Sequence, residues 1–571
     1  MNSNPLTCAD FYKTGHIAQY PEGTELVYSN FTPRSATHAP VVEGSFSKYK
    51  VINYGLQGFI KSFLIDKWNN EFFFQPKDKV IAKYRRRLET SLGPIDVSHF
   101  EALHDLGYMP IEIKALPEGA KVNIGVPLFT IRNTIPEFFW VTNYLETAIS
   151  AELWKPITNA TIAYEYRRIL DRYAKRTGSP AEFVPWQGHD FSMRGMSGCD
   201  SAAVSGSAHL TSFYGTDTIN AIDYLEDYYN ADADKELIGG SVPATEHSVM
   251  AMATKENEVD TFRRLITKTY PTGIVSIVSD TWDFWKVLSE YTVELKDEIL
   301  NRQPNALGFA KVVFRPDSGD PVKIVCGRNI RKVASVGEAK IILQNMAEID
   351  ADNLTAGECG NYSYEDIFNI SGEILKIKID VEWNRHDKTY YYIEEFGALV
   401  TEKVSLAPEE KGAVEVLWDI FGGTITDKGY KVLNQRVGLI YGDSITLARA
   451  TEIMEQLEAK GFASCNIVFG IGSFTYQYNT RDSFGFAMKA TYGVVNGEPR
   501  EIFKDPKTDS GVKKSARGLL RVERHEGQYV LLDQQTVDQE QRGELKTVFN
   551  DGTLTREVSL AEIRALIQNE D

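Results

Sequence analysis

Three aspartates stand just past short apolar runs, and their placement sets the chemical question. Ile274–Val278 runs into Ser279-Asp280, Lys311–Phe314 into Arg315-Pro316-Asp317-Ser318-Gly319, and Val437–Tyr441 into Gly442-Asp443-Ser444. A fourth run, Ile467–Phe469, ends in Gly470-Ile471-Gly472-Ser473. Carboxylates gathered around one pocket can grip ribose hydroxyls, hold Mg2+ on a diphosphate and stabilise an oxocarbenium-like centre. A single Asp after a strand can equally be a turn or cap residue. The set, taken with Arg315, exceeds what packing requires.

The Gly470–Ser473 turn can bring backbone N–H groups close to a phosphate. Downstream lie Arg481, Lys489, Lys504, Lys513 and Lys514, a concentration of cations in an acidic chain. They form either phosphate contacts or a solvated charged face. There is no GxxxxGK[ST] loop and no GxGxxG after a strand, so a nucleotide would be held some other way. His247, in Val242-Pro243-Ala244-Thr245-Glu246-His247-Ser248, has two readings. It is a hydrogen-bonded structural residue, or its neighbours orient the imidazole as a nucleophile or base.

Positioning these groups demands apolar strands alternating with helices, such as the helix-like Leu447–Ala459. That pattern implies a parallel sheet or an α/β barrel, with the active site at the carboxyl ends of its strands. Phe138–Arg176 reads as two helices separated at Pro156, the second carrying Ile162, Tyr166, Ile169, Leu170 and Tyr173 at helical spacing. Between Lys323 and Glu410 the pattern changes. Leu375, Ile377, Ile379, Val381 and Trp383 alternate with charged residues and are answered by Thr389–Ile393, an inserted β-hairpin. Lys546–Phe549, Asn550-Asp551-Gly552 and Thr553–Val558 read as a second hairpin. Ser559 and Glu562 form a capping box for the last helix.

The totals bound the rest. A chain of 571 residues, 43% apolar and 25% charged, is globular and exceeds one ordinary domain. A net charge of −17 excludes an ordinary nucleic-acid binder. The five cysteines show no CxxC pair, which fits reduced thiols and offers no zinc motif. Met1–Asp10 is not a signal peptide, and nowhere do about 18 uncharged apolar residues run together. A cytoplasmic protein without a membrane span is expected.

Several longer motifs then occur in order. They are Asp10-Phe11-Tyr12-Lys13 with Gln19-Tyr20-Pro21, His189-Asp190-Phe191-Ser192-Met193-Arg194-Gly195, Ser207-Ala208-His209-Leu210 and Gly215-Thr216-Asp217-Thr218. The segments around His247, Asp280, Arg315–Gly319 and Gly442-Asp443 follow, then Thr480-Arg481-Asp482 and Phe503-Lys504-Asp505-Pro506. Together they resemble the nicotinamide phosphoribosyltransferases, from about Asp10 to the C-terminal hairpin.

The resemblance implies the type II phosphoribosyltransferase fold. That fold is an irregular α/β barrel beside a mixed α/β domain built from both chain ends. The corresponding segments are 1–155 and 489–571 for the mixed domain, 156–322 and 411–488 for the barrel, and 323–410 for the insert. It also implies a homodimer with shared active sites. Phe191 would stack under nicotinamide, with Tyr12 of the partner subunit on its other face and Asp10 among the substrate-binding residues. Asp217 would accept from the carboxamide, while Arg194 and Asp280 would frame base and ribose. Asp317, Gly442 and Asp443 would hold ribose hydroxyls. Arg315, Arg34, Arg481 and Lys489 would bind phosphate, the last three from the partner, beside the Gly472-Ser473 turn. His247 would carry phosphate from ATP, and Mg2+ would sit on the diphosphate. Ser473 replaces a Gly, Ala487 stands where a Ser is expected, and 323–410 lies beyond the compact family pattern. Nicotinate phosphoribosyltransferase, a non-catalytic protein on the same scaffold, and a barrel glycosidase are the rivals. Against nicotinate, the Asp217 carboxylate would repel a substrate carboxylate. The retained charged set speaks against a dead scaffold, and the many cations against a glycosidase.

Overall fold

The structure is a computed structural model that describes residues 4–352, 359–385, 391–503 and 516–569. Lys504, Lys513 and Lys514 lie outside the described residues.

The four apolar runs become strands Val275–Val278, Val312–Arg315, Val437–Tyr441 and Val468–Ile471. Two shorter strands, Gly188–Asp190 and Gly215–Thr216, complete a six-stranded sheet. Every neighbouring pair in it is parallel, with Gly215–Thr216 at one edge and Val275–Val278 at the other.

The segment 240–245 closes this sheet into a barrel. Gly240 bridges Gly215 and Ala244 bridges Ser276, both in parallel sense. The Thr216 amide donates to the Gly240 carbonyl at 3.0 Å, and the Ser276 amide to the Pro243 carbonyl at 2.9 Å. Pro243 has no N–H to give, so this last stave is two bridges rather than a continuous strand. The barrel is therefore irregular where residues 240–247 pass.

Residues on the strands such as Ile277, Phe314, Leu439 and Phe469 are buried in one core with the outer helices. Helix Leu447–Ala459 buries Leu447, Ala450, Ile453, Met454 and Leu457, the spacing of one helical face. Helix Glu146–Thr177 runs unbroken through Pro156, against the expectation of two helices. Burial of Ile149 and Leu153 before the proline, and of Ile157 and Ala160 after it, holds both halves in line. Packing of two cores against one helix outweighs the hydrogen bond lost at one proline.

A second unit carries a seven-stranded sheet and its own core. Its central strands are Thr24–Thr32, Ile111–Ala115 and Phe129–Asn133 from one end of the chain. From the other end come Ala487–Val495, Glu498–Glu501, Lys546–Asn550 and Thr553–Leu554. The expected architecture of a barrel beside a unit built from both chain ends is thus found. The boundary at 488/489 falls inside a strand, and that at 155/156 inside a helix. Ser559 and Glu562 cap helix Leu560–Gln568 reciprocally.

The insert is more than a hairpin. Helix Val336–Asp352 packs on a four-stranded sheet of Arg331–Val333, Cys359–Ile370, Glu373–Arg385 and Tyr391–Lys403. Ile377, Ile379 and Val381 face a small separate core with Leu343 and Phe368. Two strands alone bury too little to stand in water, and the helix supplies the missing face. Lys323 belongs not to this unit but to helix Pro321–Cys326, which packs into the barrel core.

Candidate active site

Strand Gly188–Asp190 leads directly into Phe191, and period-two alternation puts His189 and Phe191 on one side. Their rings lie 4.6 Å apart. The Phe191 amide donates to the Ile471 carbonyl at 3.0 Å. Gly470 makes room for the ring, since a Cβ there would lie 2.5 Å from Phe191 Cδ2. The same Cβ would lie 2.9 Å from Gly442 Cα, so the ring, Gly470 and Gly442 converge.

Asp217 follows strand Gly215–Thr216 and turns toward this ring pair. Its Oδ1 accepts from His189 Nε2 at 2.8 Å and from Ser241 Oγ at 2.5 Å. Burial acts to raise the Asp217 carboxyl. Hydrogen bonds from His189 and Ser241, with the Arg315 charge, outweigh it and hold the group below its ordinary value. The side chain is 45% exposed, so the carboxylate is open to solvent beside His189, whose ring neighbours Phe191. A flat heterocycle on Phe191 would meet an anionic acceptor at its edge.

The second cluster sits on the exits of the next strands. The Asp280 side chain is 5% exposed, and its Oδ2 accepts from the Asp317 amide at 2.9 Å and Ser318 Oγ at 2.6 Å. Oδ1 of Asp280 and Oδ1 of Asp317 are buried without a hydrogen-bond partner. His247 Nε2 lies 3.8 Å from Asp280 Oδ1 and 3.8 Å from Asp317 Oδ2. Thr281 Oγ1 holds His247 Nδ1 at 3.2 Å. Burial pushes the Asp317 carboxyl up; Arg315 and His247 oppose this, while Asp280 and Asp443 add to it. Two close carboxylates with orphaned oxygens are poised for a cation or for hydroxyl donors.

Arg315 Nη2 donates to the Thr245 carbonyl at 2.6 Å, and its Nε lies 3.4 Å from Asp317 Oδ1. It therefore ties the closing stave to the carboxylate cluster. The Gly442 amide donates to the Pro316 carbonyl at 3.3 Å, which brings the Gly442-Asp443 turn to the same place. Ser473 lies against the Met193–Gly195 turn: a Cβ on Gly195 would fall 2.0 Å from Ser473 Oγ. Arg194 is exposed beside that contact.

Other expected site residues have these neighbours. Tyr12 is 64% exposed, with its ring beside His16 and Lys13. Asp10 accepts from Thr147 Oγ1 at 2.7 Å. Arg34 Nε donates to the Gly485 carbonyl at 2.9 Å, and Arg481 lies near Asp482 at 3.6 Å. Lys489 sits on the Ala487–Val495 strand opposite Asn30. Arg34 and Arg481 share the 481–486 turn, because the Arg34 amide donates to Phe484 and the Phe486 amide to Arg481.

Sequence reasoning assigned no role to His189, Ser241 or Thr281. The alternation that puts His189 beside Phe191 was the available signal. Ser241 and Thr281 are ordinary loop residues whose neighbours only the barrel's closure supplies.

The chain matches the family model described as the nicotinate phosphoribosyltransferase (NAPRTase) family over residues 186–553. It is 55% identical to a nicotinamide phosphoribosyltransferase of Acinetobacter baylyi, over 98% of this chain and 96% of the relative. Identity to a nicotinamide phosphoribosyltransferase of Xanthomonas campestris is 30%, over 98% and 97% respectively. The crystal structure of human nicotinic acid phosphoribosyltransferase superposes with a TM-score of 0.48 at 13% identity, covering 98% of this chain and 92% of that one. The chain belongs to the nicotinate phosphoribosyltransferase (NAPRTase) family, with nicotinamide phosphoribosyltransferases as near-full-length relatives.

Proposed function

We propose that the protein transfers the phosphoribosyl group of phosphoribosyl diphosphate to nicotinamide, releasing diphosphate and forming nicotinamide mononucleotide. One observation carries the choice of base. The Asp217 carboxylate, held ionised by His189 and Ser241, shares the His189 ring with Phe191 as its neighbour. The carboxamide of nicotinamide offers it N–H donors, whereas nicotinate would bring a second negative charge.

In this reading Phe191 and Asp217 orient the ring nitrogen toward C1 of the ribose. Asp280 and Asp317 stabilise the positive charge that develops there as the bond to diphosphate breaks. The Asp280 and Asp317 carboxylates, one with its Oδ1 lacking a hydrogen-bond partner and the other with its Oδ1 facing Arg315, would suit Mg2+, which commonly takes one or two carboxylates and completes its shell with waters and substrate phosphates. When bound, Mg2+ neutralises charge on the leaving group.

His247 stands 3.8 Å from both carboxylates and is fixed through Nδ1 by Thr281, leaving Nε2 for chemistry. In the coupled step Nε2 attacks the terminal phosphorus of ATP and ADP leaves, giving a phosphohistidine beside the diphosphate site. In this reading the exposed Tyr12, Arg34 and Arg481 serve the partner subunit's site, so that a homodimer completes each site. The acidic surface and scattered cysteines support a cytoplasmic setting. No helix among the described residues is long and apolar enough to cross a membrane.

Incubating the protein with phosphoribosyl diphosphate, Mg2+ and either nicotinamide or nicotinate tests the proposal. Nicotinamide mononucleotide is the expected main product. Nicotinate mononucleotide as the main product would overturn it.

A further inference from the structure

The Ser207-Ala208-His209-Leu210 motif has no task in the reaction as described, yet it sits at a junction. His209 is fully buried on helix Cys199–His209. Its Nε2 lies 3.0 Å from the Gly215 carbonyl, and its Nδ1 lies 2.7 Å from Tyr476 Oη. A carbonyl can only accept, so Nε2 must carry the proton. Burial pushes this imidazole down to about 4, so it is neutral near pH 7 and Nδ1 is an acceptor. Tyr476 O–H therefore donates to Nδ1, and one neutral tautomer satisfies both partners.

Those partners belong to opposite ends of the site. Gly215 opens the two-residue strand that places Asp217, and it pairs with His189, the residue that holds Asp217 Oδ1. Tyr476 closes the single helical turn Ser473–Tyr476, which begins at the Gly472-Ser473 turn. Both elements are too short to hold their own geometry: one has two residues and the other four. An element of one turn gains little from its own hydrogen bonds and takes its position from tertiary contacts.

We propose that His209 is a positioning residue that sets the base-recognising strand and the phosphate-side turn relative to each other, through one proton donated to Gly215 and one accepted from Tyr476. The inference rests on the functional reading given above, in which Asp217 meets nicotinamide, and on the expectation from the sequence that the Gly472-Ser473 turn meets a phosphate group. It predicts that the two hydrogen bonds are separable in kinetics, one governing each substrate.

Conservative variants separate them. An asparagine amide oxygen takes about the place of Nδ1, so His209→Asn keeps the Tyr476 bond and loses that to Gly215. A glutamine amide nitrogen takes about the place of Nε2, so His209→Gln keeps the Gly215 bond and loses that to Tyr476. Tyr476→Phe removes the same second bond from the other side. Steady-state kinetics with nicotinamide and phosphoribosyl diphosphate varied in turn is the measurement. For His209→Asn, KM for nicotinamide should rise about fivefold to tenfold while KM for phosphoribosyl diphosphate stays within about twofold. His209→Gln and Tyr476→Phe should show the reverse. A merely structural histidine would lower stability or kcat, or raise both KM values alike in all three variants, and that result overturns the proposal. Should the His209 variants not fold, Tyr476→Phe alone decides by the same criterion. Failure of the underlying functional reading is seen separately, as absence of nicotinamide mononucleotide with the unaltered protein.

Discussion

His189 Nε2 lies 2.8 Å from Asp217 Oδ1, and Ser241 Oγ lies 2.5 Å from the same oxygen. One carboxylate oxygen thereby takes two donors, while the side chain remains 45% exposed. Asp217→Asn exchanges an acceptor for a neutral amide that also donates. We expect kcat/KM to fall for nicotinamide and rise for nicotinate, a change in relative preference of roughly 1.5–3 kcal/mol. Kinetics with both bases on the folded variant checks this. An unchanged selectivity ratio would remove Asp217 from the site.

Gly470 lets Phe191 lie where it does. In Gly470→Ala the new methyl would meet Phe191 Cδ2 at 2.5 Å and Gly442 Cα at 2.9 Å. Overpacking of that kind costs about 1–3 kcal/mol. We expect a lower melting temperature and a rise in KM for nicotinamide, measured by thermal unfolding and steady-state kinetics. Unaltered nicotinamide kinetics would show that the ring position does not matter.

The exposed Tyr12 and the barrel-mouth Phe191 are expected to serve one site from two chains. Tyr12→Ala and Phe191→Ala should each be inactive. Mixed and allowed to exchange subunits, they should regain activity, because one site per heterodimer keeps both rings. Exchange shown by mass spectrometry without recovered turnover would count against a shared site.

His247→Ala should retain basal transfer and lose its stimulation by ATP, since phosphate transfer to the imidazole is a step separate from ribosyl transfer. Turnover with and without ATP is the measurement. Stimulation equal to that of the unaltered protein would refute the role.

Acid should destabilise the second unit through His99. Packed beside Phe100 and Trp140, this imidazole is pushed by burial from 6.5 down to about 4, although Asp96 opposes the shift. The unfolded chain then binds the extra proton first, so stability is full above about pH 6.5 and falls as pH drops toward about 4. The loss amounts to about 3 kcal/mol for this group. His99→Phe keeps a ring of similar size and should flatten the pH dependence of urea unfolding across that window. An unchanged slope would acquit His99.

Much of the fold was legible in local sequence. The apolar runs ending near Asp280, Asp317 and Asp443, the helix Leu447–Ala459 and the Ser559/Glu562 cap all depend on neighbours within a few residues. Burial of one face and capping of one end are local demands, and periodicity reports them. Helix Val336–Asp352 and strand Cys359–Ile370 were harder to read, because the alternating strand Leu375–Trp383 hid that it needed a helix and further strands to cover it. Pro156 misled for the opposite reason, a local signal overruled by two cores packed on one helix.

The identities of Phe191, Asp217, Asp280, Asp317 and His247 as chemically capable residues came from the sequence alone. What only tertiary structure decided is which atoms meet. Residues 240–245 close the barrel by two bridges across a proline, and that closure brings Ser241 to Asp217 and His247 within 3.8 Å of two carboxylates. It also gives Arg315 the Thr245 carbonyl as a partner and His209 its place between Gly215 and Tyr476. Apart from His209 and Gly215, these contacts join residues 24 to 267 positions apart and leave no local period to read. They exist because buried polar groups must find partners once the barrel has excluded water.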